Sequence, residues 1–180
     1  MYTEPFWIPL SLTEPTGARL ATMARPRGGD WLEDELLHLR RLGVDLLVSA
    51  LTGAEQRELD LEAEPQLAPQ VGLDFLRLPI VDLGLPSSPA VYDQVTTQMA
   101  ARLTAGDTVV AHCRQGIGRA TLLAVGAMLR LGAVGGASIM GPEQALDRIA
   151  EARGRPVPDT EAQQHWCLTQ AKKLRALTTK

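Results

Sequence analysis

Cysteine is scarce in this chain, histidine nearly as scarce, and neither sign of charge is in excess. The two cysteines among 180 residues, Cys113 and Cys167, build no disulfide framework, and with three histidines they offer no metal-ligand spacing. The chain therefore reads as a protein of a reducing, cytoplasmic compartment that calls on no metal and no other cofactor. A formal net charge of −3 gives nucleic acid or an acidic membrane surface no bulk attraction. If an anion binds, a local arrangement must hold it. Long hydrophobic runs are missing too. The most apolar stretch, "ATLLAVGAMLRLGAVGGASIM", is broken by Arg130 and by glycines, so it reads as a buried helix plus a loop and not as a membrane span. The amino-terminal "MYTEPFWIPLSLTEPTG" carries prolines and acidic residues where a secretion signal needs a basic start and an apolar run.

What is present is a globular balance, 45% hydrophobic and 22% charged residues, in a length suited to one domain over residues 1–180. "WLEDELLHLRRLG" repeats its leucines at helical spacing behind an acidic first half and stops at Gly43. A strand is predicted at once over 44–51. Thr52 and Glu55 then form the S/T-x-x-E pattern of a capped helix start. "LDFLRLPI", residues 73–80, predicts a second strand, and residues 88–106 a helix with Ser88 as cap, Pro89 in its first turn and Gly106 at its stop. "DTVVAHC" is the third strand, "RATLLAVGAMLRLG" the helix leaving it, and two further helices follow in "GPEQALDRIAEARG" and "DTEAQQHWCLTQAKKLRAL". The glycine-rich residues 132–141 read as a connection between helices. Alternation of this kind implies an α/β fold, a central, mostly parallel sheet of about four or five strands flanked by helices. Ligands of such sheets sit at the carboxyl ends of the strands, where "HCRQGIGR" falls.

That segment has the composition of an anion receptor. Backbone N–H groups of a loop over Arg114, Gln115, Gly116, Ile117 and Gly118 can turn inward, and the start of the next helix adds partial positive charge. Arg119 supplies a planar fork that grips two oxygens of a tetrahedral anion. Cys113 lies at the base of the cup, where that field favours thiolate over thiol. In this strand, loop and helix setting, "HCRQGIGR" resembles the His-Cys-(five residues)-Arg signature of the protein tyrosine phosphatase superfamily.

The resemblance implies a phosphatase-like fold and a cysteine-dependent hydrolysis of phosphate monoesters. Cys113 attacks phosphorus to give a phosphocysteine, and the loop with Arg119 holds the equatorial oxygens. It also implies a general acid, and later base, on an earlier loop, for which "LPIVDLGLPSSP" offers Asp82. Asp74, inside a strand, and Asp93, inside a helix, fit less well. Gln163, three residues after Thr160, matches a glutamine that positions the hydrolytic water. Where the family commonly has a second glutamine this chain has Asp159, which reads equally as a helix cap, as does Thr160.

A second departure is Ala120, where the family carries a serine or threonine whose hydroxyl helps the cysteine sulfur leave. Thr121 lies about 100° further round the helix and cannot stand in for it. Breakdown of the phosphoenzyme is thus expected to be slow relative to its formation. The order of segments is similar to the kinase-associated phosphatases of the smaller, dual-specificity-like branch. The partner implied is a phosphorylated protein or peptide, bearing phosphotyrosine and/or phosphoserine or phosphothreonine. Members acting on inositol or lipid phosphates tend to carry lysines in the loop, and this one has only Arg114 and Arg119. Two other readings stay open: a phosphate-binding module with little turnover, suggested by Ala120, and a rhodanese-like sulfurtransferase, which also seats a cysteine in an anion loop. Arg153 and Arg155 are expected in a solvated turn, His38 and His165 on exposed helix faces, and Cys167 as a packed thiol.

Overall fold

A computed structural model describes residues 1–10, 17–134 and 140–178. Five strands form one sheet: β1 (Phe6–Ile8), β2 (Arg19–Ala24), β3 (Leu46–Ser49), β4 (Asp74–Arg77) and β5 (Thr108–Cys113). Their order is β1-β2-β5-β3-β4. β2, β5, β3 and β4 run parallel, and β1 runs antiparallel at one edge. The helices are α1 (Leu32–Arg41), α2 (Gly53–Glu58), α3 (Glu64–Gln70), α4 (Pro89–Thr104), α5 (Arg119–Val134), α6 (Pro142–Arg153) and α7 (Glu161–Thr178). The expected α/β sheet is present, with five strands.

β5 lies between β2 and β3, and all six of its residues are buried. Side chains alternate across a strand, so Val109, Ala111 and Cys113 join the core shared with α4 and α5, while Val110 joins the core shared with α1 and α3. The chain therefore emerges from the middle of the sheet directly into residues 114–118 and α5. Packing of α4 on α5 is close enough to need glycine. A Cβ on Gly126 would come within 2.5 Å of Thr96 Cγ2 and Tyr92 Oη. The Tyr92 hydroxyl donates to the Leu122 carbonyl at 2.8 Å, and burial, the largest influence on it, pushes its ionisation well above the usual tyrosine range.

Local signals read from the sequence appear where they were expected. The Ser88 hydroxyl accepts from Val91 N–H at 3.3 Å, and Thr52 and Glu55 form a complete capping box. The two predicted strands over 44–51 and 73–80 are paired only across Leu46–Ser49 and Asp74–Arg77. Three elements were not anticipated. β1 is three residues between Pro5 and Pro9, β2 has Thr22 as its one β-branched residue, and α3 carries Pro65 and Pro69. Tertiary pairing overrides each weak local preference. His38 departs from expectation, being half-buried, stacked on Tyr2 with ring centroids 4.3 Å apart and within 3.0 Å of the Glu4 carboxylate. His165 is exposed. Of the expected connection over 132–141, residues 135–139 lie outside the described residues. No helix among the described residues is long and apolar enough to cross a membrane.

Candidate active site

Residues 113–119 wrap around the carboxyl end of β5. Gly116 makes the wrap possible in two ways. Its φ of +72° is a left-handed conformation, and a Cβ there would lie 2.3 Å from the Met23 carbonyl carbon and oxygen, where β2 passes behind the loop. Its N–H donates to Cys113 Sγ at 3.2 Å. The thiol is only 3% exposed, at the floor of a small cavity of about 80 Å³, room for a phosphoryl group and little more. Asp82, Leu83, Arg114, Gln115, Arg119 and Asp159 complete the lining.

Arg119 is the largest of the fully buried side chains and is held on several sides. Nη1 donates to Glu55 Oε2 at 2.8 Å and to the Ile80 carbonyl at 2.9 Å, and Nη2 donates to Glu55 Oε1 at 2.8 Å. Burial opposes its charge, but Glu55, Cys113 and Asp82 together raise its ionisation above the ordinary arginine value. Glu55 is itself fixed by the capping box. The Thr52 N–H and hydroxyl both donate to Glu55 Oε2, at 3.0 and 2.9 Å. Burial raises the Glu55 carboxyl, yet the hydrogen bonds from Arg119 and Thr52 outweigh it and hold the group at about 2. The start of α2 thus sets the arginine fork. A glutamate legible as a cap also fixes the Arg119 guanidinium, and nothing local announces that second contact.

Asp82 lies on the turn after β4. Gly84 N–H donates to the Val81 carbonyl at 2.8 Å, and Leu83 takes a left-handed φ of +57°, strained for a leucine. This turn sets the Asp82 carboxylate, 58% exposed, 2.8 Å from Arg119 Nη2. The other two aspartates weighed from the sequence are engaged elsewhere, Asp74 with Arg102 and Asp93 with Arg130. Arg114 turns outward to Glu58, 2.6 Å away, so this loop residue offers its backbone to the cup.

Gln163 is fully buried behind the loop. Its Nε2 donates to the Gly84 carbonyl at 3.0 Å, tying α7 to the Asp82 turn, and its backbone N–H donates to Thr160 Oγ1 at 3.1 Å. Gly118 is the contact point. A Cβ there would sit 2.5 Å from Asp159 Oδ2 and 2.7 Å from Gln163 Oε1. Ala120 is fully buried, and the Thr121 hydroxyl donates to the Ile117 carbonyl, away from the sulfur.

Three contacts had no signal in the sequence. Arg153, half-buried instead of solvated, donates from Nη2 to the Gln115 carbonyl at 3.1 Å and stacks 3.8 Å from the centre of the Phe6 ring. This turns one loop carbonyl outward, as an inward-facing set of N–H groups requires. Beneath the loop, His112 Nε2 lies 2.9 Å from Glu64 Oε1, both side chains fully buried. The third is the tie from Gln163 to Gly84. Cys167 is a packed thiol, which burial pushes up to about 12. A larger groove, about 550 Å³, lies at the amino-terminal ends of β3 and β4, where Arg102 and Asp74 on its rim pair with each other.

A buried thiol under an inward-turned loop, a braced arginine and a carboxylate at the mouth are equipped for phosphoryl chemistry. The family model described as "Polymorphic toxin system, DSP-PTPase phosphatase" matches residues 21–133. The chain belongs to this phosphatase family. Solved structures agree on the fold of this DSP-PTPase phosphatase. Kinase associated phosphatase, in a form with its catalytic cysteine substituted by serine, is 21% identical with a TM-score of 0.79, covering 98% of each chain. PTPMT1 in complex with PI(5)P is 20% identical with a TM-score of 0.69, covering 88% of this chain and 94% of its own. Human DUSP28 is 21% identical with a TM-score of 0.58, covering 95% and 97%. No curated protein sequence matches the chain.

Proposed function

We propose that this DSP-PTPase phosphatase hydrolyses phosphate monoesters through a phosphocysteine on Cys113, with phosphorylated proteins or peptides as substrates. The observation that carries the reading is the placement of Cys113 Sγ at the floor of the loop, hydrogen-bonded by Gly116 N–H, beneath an Arg119 fork already aligned by Glu55. The incoming phosphate takes the Arg119 edge that faces Asp82 and the N–H groups of residues 114–118. Sγ attacks phosphorus, the ester bond breaks, and Asp82, released from Arg119, donates its proton to the leaving oxygen. Water then attacks phosphorus as the P–S bond breaks, its proton passing to the Asp82 carboxylate and the electron pair of the bond returning to Sγ as thiolate, with Gln163 among the groups that surround the water. A cavity of about 80 Å³, with room for one phosphoryl group and little more, favours a singly phosphorylated peptide over a polyanionic headgroup such as the lipid bound by PTPMT1.

Aryl phosphate turnover tests the reading. The wild type should hydrolyse it in a vanadate-sensitive way, Cys113→Ser should abolish turnover, and Asp82→Ala should lower it by about 100-fold or more. Tyrosine-, serine- and threonine-phosphorylated peptides then rank the substrates. Burial of Ala120 with no hydroxyl directed at the sulfur favours a second reading, a phosphate-binding module with little turnover. Phosphate binding by the wild type without hydrolysis would select it. Thiosulfate-dependent activity would instead select sulfur transfer, in which Asp82 has no part.

A further inference from the structure

We propose that Val81, Leu83 and Leu85 form a substrate-binding lip that takes an aliphatic or aromatic side chain close to the phosphorylated residue of a peptide; the inference deepens the phosphatase reading above and rests on it. The turn that carries Asp82 is apolar in both directions. Ile80 and Pro86 are buried, while Val81, Leu83 and Leu85 between them are 70%, 57% and 37% exposed. Among the described residues, the large exposed aromatics each lie beneath a guanidinium, Phe6 under Arg153 and both Tyr2 and Trp31 under Arg27. The three aliphatic side chains, by contrast, join neither of the two core clusters. Exposed apolar residues grouped on one short turn mark a contact surface more than scattered ones do.

Folding does not explain the apolar choice. Leu83 has a φ of +57°, a left-handed conformation that glycine, asparagine or aspartate adopts more readily. A leucine there is strained and exposed at once, and gains neither from its backbone conformation nor from burial. The turn is nevertheless fastened at two points. Gly84 N–H donates to the Val81 carbonyl at 2.8 Å, and Gln163 Nε2 donates to the Gly84 carbonyl at 3.0 Å. A lip held in place before the ligand arrives spends little of the binding energy on ordering itself.

Position decides what covers the lip. Leu83 lines the cavity that has Cys113 at its floor, together with Asp82 and Arg119. That cavity, about 80 Å³, admits a phosphoryl group and little more, so the rest of a bound substrate lies outside it. A residue whose phosphorus reaches Sγ therefore carries its neighbours in the peptide past the wall that Leu83 provides. An extended peptide advances about 3.3–3.6 Å per residue, so side chains within two positions of the phosphorylated one fall within reach of the turn. Apolar side chains there leave water on contact with the lip, whereas a polyol headgroup would strand hydroxyls against it. Leu83 is the central specificity residue, with Val81 and Leu85 extending the surface it begins.

The test measures kcat/KM of the full chain on paired peptides that share the best-ranked phosphoresidue and differ in carrying leucine or serine at the flanking positions. The wild type should favour the leucine peptide by about tenfold, equivalent to about 1.4 kcal/mol. Leu83→Asn keeps the size of the side chain and suits the left-handed turn, so it should cut that preference to about twofold, chiefly through KM. Adding Val81→Thr should remove the rest. Turnover of p-nitrophenyl phosphate, which has no flanking residues, reads the chemistry in each variant. Equal losses on both peptides and on p-nitrophenyl phosphate would overturn the assignment, because Leu83 would then only shape the Asp82 turn. A dimer in sedimentation velocity, or flotation with phosphatidylserine vesicles, that vanishes in the double variant while the peptide preference stays would also overturn it. The lip would then belong to a second copy or to a membrane. A wild type active on both peptides without preference overturns this inference alone, and one active on p-nitrophenyl phosphate but on no peptide overturns it together with the peptide substrate. One inactive on all of them overturns the phosphatase reading itself.

Discussion

Position 120 is where the two halves of the proposed reaction part company. Formation of the phosphoenzyme uses Gly116 N–H, Arg119 and Asp82, all in place, whereas its breakdown ejects a thiolate that the first turn of α5 does not assist. Ala120→Ser would put a hydroxyl where the sulfur departs. One hydrogen bond to a charged group contributes about 1.5–3 kcal/mol, so steady-state turnover should rise by roughly tenfold or more. Stopped-flow traces should show a wild-type burst near one equivalent that shrinks in the variant. An unchanged trace would mean that sulfur departure does not limit the rate. Glu55 is a second residue whose duty shows only in three dimensions. Glu55→Gln keeps a cap-like side chain but loses the two-oxygen grip on Arg119, and a misaligned fork should cost about 100-fold in kcat/KM, measured with the same aryl phosphate.

At the scale of elements, what was legible in the sequence is what chains announce locally. "HCRQGIGR" after a β-branched run, Ser88-Pro89 before α4, and Thr52 with Glu55 before α2 all lie within a few residues of the structure they specify. β1, β2 and α3 escaped because their residues have weak or contrary preferences and are held by pairing with distant strands and helices. The same divide runs through the site. Cys113, Arg119 and the loop could be named from spacing. The bonds from Arg119 to Glu55, from Gln163 to Gly84 and from Arg153 to Gln115 span 64, 79 and 38 residues and leave no local trace. The α4–α5 contact gives an element-scale prediction. Gly126→Ala pushes a methyl into Tyr92 and Thr96, two buried side chains already bonded to neighbouring carbonyls, and should destabilise the protein by about 1–3 kcal/mol as overpacking does. A urea unfolding midpoint lowered at unchanged slope would register it.

For the whole molecule, the clamp of the site is also a fastening of the fold. The Glu55 bonds join α2 to α5 through Arg119, and Nη1 of that arginine also holds the Ile80 carbonyl just after β4. The folded-state Glu55 group ionises at about 2, below its ordinary value of 4.5, so the folded state binds fewer protons than the unfolded chain between those limits. Its contribution to stability is therefore complete above about pH 4.5 and is lost as the pH falls towards 2, amounting to about 3 kcal/mol at most. Urea unfolding at steps from pH 6 to pH 2.5 should show this loss, and Glu55→Gln should lack that part of the pH dependence.

The stacking of Arg153 on Phe6 has a consequence for where this protein can be divided. The region matched by the phosphatase family begins at residue 21 and ends at 133, and so contains the thiol, the arginine fork and the Asp82 turn. It leaves out Phe6, Arg153, Asp159 and Gln163, the four residues that brace the loop from behind or close its far wall. A fragment cut at those borders would inherit the signature and lose its scaffolding. The folded unit is larger than the stretch by which its kinship is known: its outermost strand, through Arg153, and its last helix, through Gln163, brace the candidate site.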